Sequence, residues 1–453
     1  MLASRTTSAL VKAKSGARSS LRWASTAAEK DKYKIVVIGA GSGGLTVASQ
    51  IYKRFKAAGK PLNEGDIAIV DAAENHYYQP AWTLVGSGLT RKEETRKPVS
   101  SLIPSHLAHI KENVKTFAPD KNSITTSSGR EIGYDSLVVS VGIQTNWNGI
   151  EGLPKALADS SSGVSSIYSY ETCDKVWNDI EALRSGQAVF TQPSSVIKCG
   201  GAPQKIMWMA WDRFQKTGRG DQIKVDFYTG TPAMFAVKKY SDALNEMRIQ
   251  RGVGGHFQHN LTKIDAANRK ATFKNAADNS DVVVDYTFLH VTPPMGPMDV
   301  IKGSPIADEV GWVAVDSATC QSTKFSNVWS LGDCSSLPTS KTAAAITSEA
   351  PVLTENLFQF VDTGKLGTAK YDGYTSCPLL TGYGELLLAE FKYGGQPKET
   401  FAGLPFIGDQ AKPNRLFYHF KKDLFPWAYW NHMLSGSWFG PSGGIRPKYP
   451  PPQ

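Results

Sequence analysis

The stretch YKIVVIGAGSGGLTVASQI, residues 33–51, constrains the fold more than any other part of the chain. Four β-favouring residues, Ile35 to Ile38, run straight into Gly39-Ala-Gly41-Ser-Gly-Gly44, and a small-residue helical pattern follows. Strand, glycine loop and helix in this order form a dinucleotide-binding unit. Gly39 allows the tight turn, Gly41 lets the backbone approach a pyrophosphate, and Gly44 lets helix and strand pack closely. The pyrophosphate then faces the helix N-terminus, where unpaired N–H groups and the macrodipole favour an anion. A second short strand, DIAIVDAAE, ends at Asp71, 27 residues after Gly44, where an acid holds a ribose hydroxyl. KRFKAAGKPLNEG supplies the additional helix and loop between them.

With 453 residues, 41% hydrophobic and 20% charged, the chain has the make-up of a globular enzyme of two or three domains. No run of 18 apolar residues suggests a spanning helix. The net charge of +9 is concentrated at the start: Arg5, Lys12, Lys14, Arg18 and Arg22 precede the first acid, Glu29. A basic, Ser- and Ala-rich, acid-free leader is the composition of a mitochondrial transit peptide; the competing reading is a disordered basic tail. Without the leader only a mild positive excess remains, which makes no case for nucleic acid as a partner. The five cysteines, 173, 199, 320, 334 and 377, show no CxxC or metal-finger spacing. HFQH at 256–259 lacks a third ligand, so no metal is expected.

A distant segment, NVWSLGDCSSLPTSKTAAAITSEAPVLTENL at 327–357, puts Gly332-Asp333 at the end of an apolar strand and before a small-residue helix. It resembles the second FAD motif of the flavoprotein disulfide reductases, and YDSLVVSVGIQTN at 134–146 resembles their crossover strand. The resemblance implies FAD and an α/β fold of two Rossmann-like dinucleotide-binding domains, the FAD domain discontinuous. In those proteins the second domain carries its own GxGxxG for NAD(P)H. Here the matching place reads AVFTQPSSVIKCGGAPQK, with no GxGxxG, and the next strand, IKVDFYTGTP, ends in Thr229 rather than an acid. The nicotinamide site is therefore expected to be lost.

In that place stands Cys199, read as following a strand and preceding a helix that Pro203 opens. Gly200 and Gly201 suit close approach to a flat ring. A helix N-terminus and Lys198 or Lys205 favour thiolate, although a buried structural cysteine is the commoner fate. Cys377 precedes Pro378 and so has extended backbone. With 178 residues between the two cysteines, nothing in the residues themselves says that they meet.

KCGGAPQK (198–205), HVTPPM (290–295), GDCSSLPTSKTAAA (332–345) and YDGYTSCPLLTGY (371–383) together resemble the sulfide:quinone oxidoreductase family. The resemblance runs from Tyr33 to the last forty residues. It implies that Cys199 and Cys377 are the catalytic redox pair beside FAD, with a persulfide on Cys377 and a thiolate on Cys199 facing the flavin. It further implies Ser42 and Gly43 at the pyrophosphate, Asp71 at the ribose, Gln79 in the cofactor site, and Val114 near the adenine. Gly332, Asp333 and the helix start at Ala343, Ala344, Ala345 and Ile346 belong at the flavin, where Lys205 and Lys341 stabilise negative charge on the reduced ring. The implied substrates are hydrogen sulfide, ubiquinone and a small thiol or sulfite as sulfur acceptor.

Nine aromatics in residues 415–440, mixed with Arg415, Lys421 and Lys422, suit an interfacial helix pair broken at Pro426; the alternative is a helix packed on the core. A quinone dissolved in lipid agrees with docking on the surface of the mitochondrial inner membrane, on its matrix side. The expected organisation is a transit peptide and linker at 1–32, an FAD domain at 33–160 and 287–370, a second Rossmann-like domain at 161–286, and a C-terminal region at 371–453. The rival reading is a type II NADH:quinone oxidoreductase on the same scaffold.

Overall fold

The computed structural model describes residues 31–405 and 407–450; the leader read as a transit peptide lies outside the described residues. The first sheet has strand order Ala108–Ile110, Ile67–Val70, Lys32–Ile38, Glu131–Val139, Ser123–Thr126 and Val114–Ala118, and Val328–Ser330 also pairs with Glu131–Val139. The pairs at its centre are parallel, and their register brings Ile38 beside both Val70 and Val139, with Ser330 also beside Val139. Four strand ends therefore stop at one edge, the edge where open α/β sheets bind ligands. IAIV is buried along its whole length, and the central strands read as near-continuous apolar runs because both faces of the sheet are covered. Ser42–Ala57 packs against the long helix Ala343–Thr363, capped by Thr342, whose hydroxyl accepts the Ala345 N–H at 3.0 Å.

The second sheet is all parallel, in the order Val164–Ser165, Phe288–His290, Gly186–Gln192, Ile223–Thr229, Gly254–Phe257. Phe288–His290 sits inside it, so this unit extends past residue 286, four residues beyond the boundary expected from sequence. A three-stranded antiparallel sheet, His259–Asp265, Lys270–Asn275 and Asp281–Asp285, precedes that last strand. The strand before Cys199 also ends earlier than expected, at Gln192, so the cysteine stands on a loop rather than at a strand end. The helix Ala202–Lys216 does begin with Pro203 in its first turn.

The C-terminal region opens with a hairpin, Thr375–Gly382 against Glu385–Lys392, which places Cys377 opposite Ala389. Residues 415–433 then form one continuous helix rather than a broken pair. Its turns widen to i→i+5 over Phe420–Leu424 and Tyr429–Met433, and Pro426 falls in the first turn of the stretch between, Phe425–Ala428. A proline inside a regular α-helix lacks an N–H and clashes with the i−4 carbonyl, and the widened turn just before Pro426 eases that clash, so the helix passes through it. No helix among the described residues is long and apolar enough to cross a membrane.

The tightest constraint on the first unit is Gly44, where an added Cβ would lie 1.8 Å from the Gly39 carbonyl oxygen and 2.8 Å from Ser140 Oγ. Gly44→Ala should cost about 3 kcal/mol, the upper end for overpacking. The checks are the urea midpoint and the flavin content of the purified protein, and both should fall.

Candidate active site

A cavity of about 740 Å³ opens at the edge where the strands end. Gly39, Gly41, Ser42 and Gly43 line it from the first loop, Asp71 from the second, and Gly332 and Asp333 from the fourth strand end. Gln79, Val114, Lys341, Ala343, Ala344 and Ile346 complete the predicted lining. Two predicted residues are not on it. Gly44 is turned against the first strand, and Ala345 is buried with its N–H taken by the Thr342 cap. The other early amides of that helix, at Ala343 and Ala344, have no intrahelical acceptor and stand at the wall. A Cβ on Gly41 would meet no protein atom within 4 Å, so the glycine leaves backbone open to the cavity. Glycine cradle, free amides and volume together fit a dinucleotide such as FAD. Asp71 also steadies the cradle, its two carboxylate oxygens accepting the Ala40 N–H at 2.5 Å and the Ala73 N–H at 2.7 Å.

Cys199 lines the same cavity, and its backbone is left-handed, with φ of 56°. A non-glycine residue pays for this conformation, about 1–3 kcal/mol, only when its surroundings hold it there. Here the Cys199 N–H donates to the Lys341 carbonyl at 2.7 Å and its carbonyl accepts the Ala202 N–H at 2.8 Å. The turn aims the sulfur back at the hairpin, where Cys377 is fully buried and in hydrogen-bond contact with it. Gly201 makes the approach possible, because a Cβ there would lie 2.3 Å from Leu379 Cδ2, two residues beyond Cys377. Gly200, in contrast, lines a separate cleft of about 420 Å³ on the other side of the loop rather than the flavin cavity.

The two thiols are strongly differentiated. The hydrogen bond from Cys377 holds the Cys199 thiol well below its usual range, helped by the Lys205 ammonium, whose Nζ is 3.1 Å from Cys199 Sγ. The Cys377 thiol is pushed well up by its hydrogen bond to Cys199 and by burial. Of the two, Cys199 is therefore the sulfur favoured as thiolate and Cys377 the one that keeps its proton. Cys173, Cys320 and Cys334 are buried, and burial raises all three thiols.

More cations converge on this cavity than the sequence reading found. Lys198 donates to Gln79 Oε1 at 2.8 Å, and Lys341 to the Ser335 carbonyl at 2.6 Å. Burial lowers both lysines, while it raises Asp333 beside them. Lys421 was missed: it reads as a headgroup-facing lysine in an aromatic segment, yet it is buried and donates to the Pro80 carbonyl at 2.6 Å. Burial and the neighbouring Lys205 bring its pKa down to about 7. Tyr429 was missed too, and its phenol meets Ser42 of the glycine loop at 2.6 Å.

Past the end of the strand Gly186–Gln192, Asn260 Oδ1 accepts the Ser194 N–H at 2.8 Å, and a Cβ on Gly230 would lie 2.2 Å from the same oxygen. The histidines of HFQH are otherwise engaged: His256 bonds Asp226 at 3.0 Å and stacks on Tyr228, and His259 contacts the Phe257 carbonyl at 2.6 Å.

Residues 33–201 match the family model described as pyridine nucleotide-disulphide oxidoreductase. The chain is 49% identical over 431 residues to the mitochondrial sulfide:quinone oxidoreductase of Schizosaccharomyces pombe, covering 92% of this chain and 94% of that protein. It is 46% identical over 423 residues to the protein of the same name from Dictyostelium discoideum, covering 92% and 89%. The solved sulfide:quinone oxidoreductase of Aquifex aeolicus superposes with a TM-score of 0.69 at 16% identity, over 88% of this chain and 92% of that one, and so shares its fold. A type II NADH:quinone oxidoreductase from Staphylococcus saprophyticus is a distant relation, 25% identical over 27% of this chain and 30% of its own. With a thiolate–thiol pair on a dinucleotide cavity and near-full-length relatives of this kind, the chain belongs to the mitochondrial sulfide:quinone oxidoreductase family.

Proposed function

We propose that this enzyme oxidises hydrogen sulfide at the Cys199–Cys377 pair, hands the sulfur to a small thiol or sulfite, and delivers two electrons to ubiquinone. The observation that carries the reading is the hydrogen-bonded cysteine pair, with Cys199 open to the cofactor cavity and Cys377 behind it.

In the oxidised pair the Sγ–Sγ bond is the electrophile. Hydrosulfide attacks Cys377 Sγ, a new S–S bond forms, and the old bond breaks with its electron pair on Cys199. Cys199 is the better leaving group because Lys205 and the hydrogen bond stabilise its thiolate. The acceptor's thiolate or sulfite then attacks the outer sulfur of the Cys377 persulfide, and Cys377 leaves as thiolate. Closing the disulfide again releases two electrons. Bound FAD would supply the two-electron carrier between the cysteine pair and the quinone. The residues assigned to holding it are Gly39, Gly41, Ser42, Gly43, Asp71, Gln79, Val114, Gly332, Asp333, Ala343, Ala344 and Ile346, with Lys205 and Lys341 balancing charge. Farther along the same cavity, Pro378, Leu388, Phe401, Phe420, Leu424 and Phe425 form an apolar lining around Lys421. This is the place we assign to the quinone head, with Lys421 placed to give a proton at a pKa about 7.

The helix that carries Lys421 also supports docking on the mitochondrial inner membrane. Its buried face packs on the body, while Leu416 and Trp427 are 42% and 53% exposed. Exposed indole and leucine on one helix suit the headgroup level of a lipid surface, which is where a quinone enters. The relatives' mitochondrial names and the basic leader support the matrix side as the working location.

Anaerobic sulfide should bleach the bound flavin, NADH should not, and Cys199→Ser or Cys377→Ser should each lower sulfide-driven quinone reduction at least a thousandfold while flavin stays bound. Rapid bleaching by NADH alone would return the rival reading. Because the lysine charge favours the thiolate, Lys205→Met should move the midpoint for iodoacetamide labelling of Cys199 to higher pH. An unmoved midpoint would take Lys205 out of the thiolate's support. Leu416→Glu/Trp427→Glu should lose binding to cardiolipin-containing liposomes while keeping its flavin. Undiminished binding would place the lipid contact elsewhere.

A further inference from the structure

The cavity has a wall that no dinucleotide motif accounts for. Ala428, Tyr429, Met433, Trp438, Gly440 and Pro441 line it, all from the C-terminal segment. That segment is fastened along the glycine-loop helix. Ser49 Oγ donates to the Leu434 carbonyl at 3.0 Å and Lys53 Nζ to Ser437 Oγ at 2.6 Å, while Arg446 pairs at 3.1 Å with Glu355 of the adjoining helix Ala343–Thr363. Gly436, at φ of 73°, lets the two backbones touch, since a Cβ there would lie 2.7 Å from the Gln50 nitrogen.

At the centre is a ring of hydrogen bonds whose direction follows from chemistry. Burial holds His76 below its usual range, so the imidazole is neutral and has one donor and one acceptor. The Ala40 carbonyl, 2.9 Å from His76 Nδ1, can only accept, so Nδ1 carries the proton. Nε2 is then the acceptor for the Tyr429 phenol at 2.5 Å, and the Tyr429 oxygen takes the Ser42 hydroxyl proton at 2.6 Å. The relay runs Ser42 to Tyr429 to His76 to Ala40, leaving the glycine loop and returning to it through the C-terminal segment. Tyr78 lies against Tyr429 with ring centroids 4.3 Å apart and packs the relay from outside.

We propose that Tyr429 is a flavin-retention residue: the closed relay latches residues 428–441 across the nucleotide cradle, so that FAD leaves only when this strap lifts. The inference rests on FAD as the cofactor, and it adds a binding element that the glycine loop alone does not supply. By linkage, a strap that holds FAD is itself held by FAD.

The test is flavin release from the purified holoenzyme, followed by the fluorescence of freed FAD after dilution. Tyr429→Phe keeps the ring and removes the hydroxyl, and it should speed release about tenfold, the scale of one lost buried hydrogen bond. Tyr429→Phe and Ser42→Ala together should be little faster than Tyr429→Phe alone, because both cut the same relay. Independently of any variant, chymotrypsin should cleave after Trp430 and Phe439, both inside the strap, more slowly in wild-type holoenzyme than in flavin-stripped protein. Release from Tyr429→Phe at the wild-type rate, or equal cleavage with and without FAD, overturns the latch. A wild-type protein that retains no FAD at all would instead overturn the cofactor reading, so the two failures are distinguishable.

Discussion

The register of the parallel strands governs everything built on this fold. Ile38, Val70, Val139 and Ser330 end side by side, so the next residues in each chain segment, Gly39, Asp71, Ser140 and Leu331, crowd one edge of the sheet. A slip of one residue in any strand would turn its apolar side chains to the other face and move its loop. The slip is prevented because these strands are buried on both sides, where no alternative face is acceptable. Loops from residues 39 to 333 therefore meet at one cavity although the second Rossmann-like unit lies between them in sequence. That unit contributes the loop with Cys199, pinned to the FAD unit by the Lys341 carbonyl, and the redox sulfur is thereby indexed to the flavin motif itself.

Charges of both signs meet at this edge. Lys198, Lys205, Lys341 and Lys421 line the cavity together with Asp71, Glu112, Asp333, Glu390 and Cys199, whose thiolate is favoured. Burying ammonium groups is costly, and the lowered values of Lys198, Lys341 and Lys421 register that cost. A cavity that keeps such groups is arranged for anions that come and go: hydrosulfide, thiolate and the negative charge of a reduced ring. The differentiation of the two thiols belongs to the same field. Lys205 sits on the side of Cys199, while the hydrogen bond to Cys199 and burial outweigh what Lys205 and the Gly201 backbone offer Cys377, so the two sulfurs differ before any substrate arrives.

How much of this was readable in the chain depends on the range of the interaction. The glycine loop, Asp71 and Gly332-Asp333 are local signals, each set by a turn or strand end within a few residues, and their positions on the cavity follow. Gly44 and Ala345 are on the right elements but point into the packing, because a motif specifies backbone geometry and not every residue's facing. The meeting of Cys199 with Cys377 was implied only by family resemblance, since 178 residues separate them and the contact depends on a hairpin packing on the helix Ala202–Lys216. Lys421 and Tyr429 were illegible for another reason. A basic, aromatic helix at the end of a chain has the composition of a membrane-surface helix, and composition does not say which residues its inner face buries.

That inner face is a matter of helix geometry. Lys421 and Tyr429 are eight residues apart, about 0.8 residue more than two turns of an ideal α-helix. On a regular helix they would drift apart around the axis, and one of them would turn from the cavity. The widened turn at Phe420–Leu424, which lies between them, takes up the excess, so that both side chains line the same space while Leu416 and Trp427 remain outside. Wide turns weaken a helix and persist where a site needs the facing they produce. Here they let a single segment present a lysine to the apolar part of the cavity, a phenol to the glycine loop and an indole to the surface. The three contacts share one backbone, and a cut that removes the outer one removes the wall of the flavin cavity with it.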